Sequence, residues 1–411
     1  MTTTLNIADH LTAITGPQYL RQHENSITVS PANTQQVSEI LRFASENNLT
    51  VTPTGGSTKQ SWGNEIQPNP TKTNIRLELT RLNRVIEHPW QDLTCTVQAG
   101  CTWQQLQQAL AKHGQFVALD PLWPERATVG GILATNDSGT LRHRYGSLRD
   151  LVIGMTLVLA DGTIARSGGK VVKNVAGYDL CKLVTGSFGT LAVITEATFR
   201  LHPLPQHVQT FTVSAPQAQQ LAPLMQTIRA SHLLTQTLQL RGDTNGFHLD
   251  IQLNAHPEAK QDAILADMAT THGLVANRAK EEVWQTREYL LAQQDKLILK
   301  ATMLPEDVAA FAQEVEEKDG ECVAQSFGVM YVALPVREKT SVALAEEFRY
   351  HIGLQLGTTM LLNRTPPSRD IETWAFTTEG ELPNTFSLMQ AVKHQFDPNR
   401  TLNPGRFLGG I

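Results

Sequence analysis

Apolar residues Val37, Ile40, Leu41 and Ala44 recur at helical spacing and predict a first helix, with Asn33 or Thr34 as its N-cap. Residues 49–52 read as a strand that runs straight into Pro53-Thr54-Gly55-Gly56-Ser57-Thr58. Strand-like runs follow at 75–79, 84–87 and 93–97. Thr102 then caps a helix with Trp103, Leu106 and Leu110 on one face, and an apolar run at 116–119 leads to Asp120-Pro121. Runs 151–159 and 163–166 flank Asp161-Gly162, a hairpin signal, and 190–201 is a further apolar strand closed by His202-Pro203-Leu204-Pro205. Beyond those prolines glycine thins. Strand and helix patterns alternate at 209–213, 218–228, 237–240, 247–253 and 259–268. They alternate again at 297–301, 306–315, 322–325, 329–334 and 342–350, with a last strand at 354–362. The two series read as two split β-α-β halves in one sheet. A helix at 388–396 precedes Asp397-Pro398-Asn399 and Asn403-Pro404-Gly405-Arg406, whose glycine and asparagine resemble the first half and predict packing back onto it.

Between Asp120 and Pro205 glycine recurs beside small hydroxyl residues, in Thr128-Val129-Gly130-Gly131, Asn136-Asp137-Ser138-Gly139, Tyr145-Gly146-Ser147 and Gly186-Ser187-Phe188-Gly189. Such backbone lies close against a large ligand and turns N–H groups and hydroxyls toward it. We read this stretch as one half of a flavin cradle and Pro53 to Thr58 as the other. A nucleotide-binding strand–Gly-x-Gly-x-x-Gly–helix does not fit the first half, because Gly55-Gly56 is followed by polar, poorly periodic Lys59-Gln60-Ser61-Trp62-Gly63. The turn itself must bind, through consecutive N–H groups; a plain tight turn is the alternative.

The 411 residues suggest two or three domains, and a net charge of −5 without a basic block argues against nucleic acid. Cys95, Cys101, Cys181 and Cys322 have no metal, cluster or disulfide spacing and read as reduced, buried thiols in a cytoplasmic protein. Residues 1–10 do not read as a signal peptide. The longest apolar run, 151–160, is broken by Gly154 and Thr156 and is too short to span a bilayer, so any membrane association is expected through partners.

From about residue 22 to 205 the chain resembles the FAD-binding domain of the vanillyl-alcohol oxidase / p-cresol methylhydroxylase (VAO/PCMH) type. The resemblance rests on Thr54-Gly55-Gly56-Ser57-Thr58-Lys59, Thr128-Val129-Gly130-Gly131 and Gly189-Thr190-Leu191-Ala192-Val193-Ile194-Thr195, in that order. The stretch Gly168-Gly169-Lys170-Val171-Val172-Lys173-Asn174-Val175-Ala176-Gly177-Tyr178-Asp179-Leu180 most resembles the FAD-binding subunits of bacterial-type glycolate oxidases, and the closing Phe396-Asp397-Pro398 and Asn403-Pro404-Gly405-Arg406 fit them too.

The resemblance implies an α+β fold: a PCMH-type FAD-binding domain of two α+β subdomains at 1–205, and an α+β cap with a central antiparallel sheet at 206–383. Residues 384–411 return to the first domain. It places the FAD pyrophosphate on Pro53, Thr54, Gly55, Gly56, Ser57 and Thr58. Pro121, Thr128, Val129, Gly130, Gly131, Ser138 and Gly139 line the flavin and pyrophosphate, and Val193 and Ile194 meet the adenine side. The FAD is expected to be non-covalent, since the pyrophosphate loop has neither His nor Cys, and Cys101 and Cys181 lack the attachment pattern.

The implied activity is FAD-dependent oxidation of glycolate to glyoxylate by a glycolate oxidase complex. The implied partners are a homologous FAD-linked catalytic subunit and an iron–sulfur subunit. Two alternatives stay open: a self-sufficient dehydrogenase of a small 2-hydroxy acid or alcohol, and a non-catalytic flavoprotein scaffold. The His-rich Gly-Asp-Gly-Asn-type motif of the wider family has no counterpart here, so the catalytic residues stay unassigned. His143, between Arg142 and Arg144, could bind a carboxylate or take a proton, or could sit in a solvated basic turn. Lys173, Asn174 and Tyr178 could face the ring or simply pack. His232, His256, His272 and His394 have no ligand spacing, and Trp62 and Trp123 read as core or lid residues.

Overall fold

A computed structural model describes residues 7–24, 26–66, 72–170, 177–254, 260–336, 340–363, 373–375 and 382–411. Three main sheets organise them. The first is four-stranded, in the order Leu20–His23, Ser26–Val29, Asn74–Glu78, Thr50–Thr54, antiparallel at its first pair and parallel at the others. Helix Thr34–Glu46 packs on it, started by Asn33, whose side chain accepts the Gln36 N–H at 2.9 Å. Its expected face, Val37, Ile40, Leu41 and Ala44, is fully buried against Val29, Val51, Ile75 and Leu77.

The second sheet is five-stranded and antiparallel: Val85–Glu87, Thr94–Gln98, Val193–Arg200, Val152–Val158, Ile164–Gly168. Its last pair is the hairpin turned by Asp161-Gly162. Helix Trp103–Ala111 packs beside it, with the reciprocal Thr102–Gln105 capping box that the sequence predicts in part.

The third sheet is nine-stranded and antiparallel: Ala276–Arg278, Val208–Ala215, Gly246–Asn254, Thr235–Asp243, Glu321–Gln325, Val329–Pro335, Lys296–Thr302, Thr358–Leu361, Trp374–Ala375. The two strand–helix series meet where Gln239–Gly242 pairs with Cys322–Gln325. Helices Ala218–Ala230 and Val308–Glu317 bury one face of this sheet. On the other face Ile298, Val323, Tyr331 and Met360 pack against Trp62, Leu122 and Phe188 of the first half.

Three expectations change. Residues 129–135 form a helix rather than open cradle loop. The strand expected at 354–362 shrinks to Thr358–Leu361, because helix Thr340–Leu354 runs on to Leu354. Helix Ile7–Thr15 and the segment Glu281–Ala292 were not legible as elements. Lys173 and Asn174 lie outside the described residues, as does His256.

Candidate functional site

A cleft opens between the first two sheets. Its walls are Pro53 to Gln60 from the end of the first sheet, Ala99, Val193 and Ile194 from the second, and Thr128, Gly130, Gly131, Ala134 and Thr135 from the short helix. Phe188, Gly189, Asn403 and Arg406 close it.

Backbone geometry accounts for the loop residues. Ser57 takes a left-handed φ of 56° and its hydroxyl accepts from Arg76 Nη2 at 3.1 Å. The N–H groups of Gly56, Ser57 and Thr58 donate to no protein group among the described residues. At the helix, the N–H groups of Val129 and Gly130 go to the carbonyls of Cys101 and Ala99 at 2.9 and 2.7 Å, which leaves that of Gly131 free among the described residues. An N-terminal helical turn with unspent donors receives anions readily.

The glycines divide into two kinds. A Cβ on Gly56 would sit 1.7 Å from the Arg126 carbonyl oxygen, and one on Gly55 2.1 Å from Thr128 Oγ1. These two residues let the two halves of the cleft touch each other. A Cβ on Gly131 meets only Thr128 Oγ1, at 3.3 Å, so that position is bare toward the cleft.

Eleven of the expected contact residues therefore meet in one cleft: Pro53, Thr54, Gly55, Gly56, Ser57, Thr58, Thr128, Gly130, Gly131, Val193 and Ile194. Four lie elsewhere. Val129 is buried in the core of the second sheet. Pro121 lines a separate groove with Trp103 and Glu288. The Ser138 carbonyl accepts from Arg287 Nη1 at 3.0 Å. Gly139 packs on Asp120, whose carboxylate accepts from the Thr140 and Leu141 backbone at 2.8 and 2.9 Å.

His143 is not at the cleft. It lies in a depression with Arg142, Arg229 and Asp150, bonded to Ser326 Oγ at 3.0 Å, and burial with help from Arg229 and Arg144 lowers its pKa. Tyr178 is 92% exposed. Trp62 is buried and Trp123 sits over Lys59, as core and lid readings would have it.

Several site residues escape sequence reading. Arg406 ties the tail to the loop, donating to Gln60 Oε1 at 3.1 Å and to the carbonyls of Lys59, Gln60 and Trp62 at 3.1–3.2 Å; burial lowers its pKa to about 10. Asn403 Nδ2 donates to the Phe188 carbonyl at 2.8 Å. Beneath the loop, Lys59 Nζ meets Asp137 at 3.0 Å, and Arg287 meets the same carboxylate at 3.9 Å.

Residues 26–168 match the family described as FAD binding domain, and residues 373–407 the family described as FAD linked oxidases, C-terminal domain. The structure of p-cresol methylhydroxylase with substrate bound superposes with a TM-score of 0.76 at 15% identity, covering 97% of this chain and 96% of that one. The fold is p-cresol methylhydroxylase-type. A 4-ethylphenol oxidase from Gulosibacter chungangensis shares this VAO/PCMH fold, with a TM-score of 0.73, 15% identity, and 98% and 96% coverage.

Among curated relatives, glycolate oxidase subunit GlcD of Bacillus subtilis is 35% identical over 54% of this chain and 46% of its own length. A D-lactate dehydrogenase of Archaeoglobus fulgidus is 39% identical over 48% of this chain and 43% of its own. The matches span about half the length of these two relatives. The mitochondrial D-lactate dehydrogenase [cytochrome] of Arabidopsis thaliana matches at 26% over 93% of this chain and 73% of its own. The match to the FAD binding domain family over residues 26–168 supports FAD as the cofactor of the cleft. The cleft fits that group: bare backbone at Gly131 and spare N–H donors suit a diphosphate without an arginine clamp. Among the described residues no helix is long and apolar enough to cross a membrane.

Proposed function

We propose that this chain is the FAD-binding subunit of a glycolate oxidase complex that oxidises glycolate to glyoxylate, beside a homologous FAD-linked catalytic subunit and an iron–sulfur subunit. The observation that carries the reading is the cleft, with its free N–H groups at Gly56, Ser57, Thr58 and Gly131. The likeness to GlcD supports the choice of glycolate. Bound FAD supplies the hydride acceptor. In this reading the 56–58 loop holds the diphosphate, Gly131 lets the helix approach it, and Val193 and Ile194 border the adenine side.

A second reading, a self-sufficient dehydrogenase of a small 2-hydroxy acid, is favoured by the match that covers 93% of this chain. Anaerobic mixing separates the two. In the subunit reading, millimolar glycolate bleaches the FAD of the isolated chain slowly, and fast bleaching appears when both partners are added. Rapid bleaching of the lone chain by glycolate or D-lactate overturns the subunit reading.

The FAD is expected to be non-covalent. Among the described residues neither His nor Cys lines the cleft, and burial pushes the Cys95 thiol up to about 12 and the Cys101 thiol to about 11, far from a reactive thiolate. Acid precipitation should leave the yellow colour in the supernatant as intact FAD. Flavin that stays with the pellet contradicts this.

A further inference from the structure

A groove that shares no lining residue with the cofactor cleft lies between the nine-stranded sheet and residues 119–125, with segment Glu281–Ala292 along it. Strands Thr235–Asp243 and Gly246–Asn254 present Thr237 and Gln252 to it, a directly opposed pair. Their neighbours Leu238 and Ile251 belong to the helix-covered core, so Thr237 and Gln252 stand on the other face of the sheet.

The charge of this groove is one-sided. Asp120, Glu125, Glu281 and Glu288 line it. The one cation among its lining residues, Arg287, is spent on Asp137 and on the carbonyls of Asp120 and Ser138. Asp120 is in turn taken by the Thr140 and Leu141 backbone. The three glutamates form no salt bridge among the described residues. Glu281 accepts only neutral donors, Thr210 Oγ1 at 2.6 Å and Gln252 Nε2 at 3.0 Å, and Glu288 accepts the Trp123 N–H at 2.6 Å.

The rest of the surface is apolar and held in place. Trp284 Nε1 donates to Thr210 Oγ1 at 3.1 Å. The Tyr289 hydroxyl donates to Gln285 Oε1 at 2.7 Å, and that residue is 61% exposed. Both rings are thus positioned before any ligand arrives, beside Pro121 and Pro124. Thr237 is only 3% exposed, and its Oγ1 has no hydrogen-bond partner. A buried hydroxyl left unsatisfied is destabilising until a ligand group meets it. Carboxylates without counter-ions around fixed rings attract a cation that can stack, which is the chemistry of arginine. An open, aromatic-lined groove suits an extended, proline-bearing chain.

We propose that this groove docks an extended, arginine- and proline-bearing segment of a partner protein. Glu125, Glu281 and Glu288 meet its cations, Trp284 and Tyr289 its prolines, and Thr237 its main chain. The inference goes beyond the substrate reading and does not depend on it.

The test uses the full FAD-loaded chain and a short fluorescein-labelled peptide of alternating arginine and proline. Anisotropy titration should show saturable binding that weakens as salt rises. Glu125→Arg should weaken it at least about tenfold and Tyr289→Ser about threefold or more, with FAD content unchanged, since both residues are exposed. Glu317→Arg changes the net charge equally on the far helix Val308–Glu317 and should leave affinity within about twofold. No saturation at millimolar peptide, an equal loss in Glu125→Arg and Glu317→Arg, or wild-type affinity in Tyr289→Ser overturns the inference. So does equally tight binding of an arginine–glycine peptide, or displacement of the probe by an equal concentration of free arginine, which marks a small-cation pocket. If Glu125→Arg does not fold, Tyr289→Ser and the arginine–glycine peptide decide.

Discussion

Replacing Asp137 by alanine is expected to destabilise this protein by about 3–5 kcal/mol. The carboxylate is wholly buried, and its partners Lys59 and Arg287 have side chains only 4% and 6% exposed. It also accepts the Leu122 N–H at 2.9 Å. Burial opposes its ionisation, but Lys59 and Arg287 outweigh that, and the carboxyl stays below its usual range. Alanine removes the carboxylate that both cations share and leaves Lys59 without an ion pair among the described residues, in an interior where solvent cannot compensate. One of them belongs to the cleft loop and the other to helix Thr286–Ala292 under the nine-stranded sheet, so the damage reaches both sides of the cleft. Urea unfolding monitored by tryptophan fluorescence reads the loss, and an unchanged midpoint sinks the argument. The pH sign follows from the lowered value. The stabilisation is complete above the unfolded carboxyl pKa of about 4 and is lost as pH falls through the folded one. Wild-type stability should therefore drop in acid more steeply than that of Asp137→Asn.

Gly131→Val is expected to abolish stoichiometric FAD binding, with affinity reduced at least about a hundredfold, while the thermal midpoint of the apoprotein barely moves. The added side chain meets no protein atom but Thr128 Oγ1 and projects into the cleft. Valine is no worse than glycine as a helix former, so the helix itself survives. Gly56→Val should behave differently. Its Cβ runs into the Arg126 carbonyl, so the loop must move and stability falls by about 1–3 kcal/mol before any cofactor is added. Flavin fluorescence titration and calorimetry on both variants separate the two roles. Wild-type FAD affinity in Gly131→Val shows that the cofactor does not approach the helix there.

The parts of this fold visible in the sequence were those set by local periodicity and turn chemistry. The buried face of helix Thr34–Glu46 and the Asp161-Gly162 hairpin are of that kind. The helix at 129–135 was hidden because two glycines near its start lower helix propensity. Carbonyls of Ala99 and Cys101, remote in sequence, fix its first turn. The cleft residues were readable where a motif is contiguous, as at 53–58. Val129, Ser138 and Gly139 sit in equally glycine-rich sequence, yet their backbone serves the core, Arg287 and Asp120 instead. The surroundings of Lys300 could not be read at all. A lysine in an alternating strand reads as an outward residue, yet Trp62, arriving from a distant loop, places its ring 5.9 Å from this ammonium.

The Val51 N–H donates to the Thr401 carbonyl at 2.7 Å, the Asn403 N–H donates back to the Val51 carbonyl at 3.0 Å, and Arg406 grips a loop 346 residues upstream. Synthesis delivers the first half of the cleft well before its latch, at about 5–20 residues per second. Until residue 406 leaves the ribosome, the 59–62 loop lacks its clamp and the cleft lacks a wall. FAD capture thereby waits for the tail, and a nascent chain stalled before it would carry an open cleft that cannot retain the cofactor.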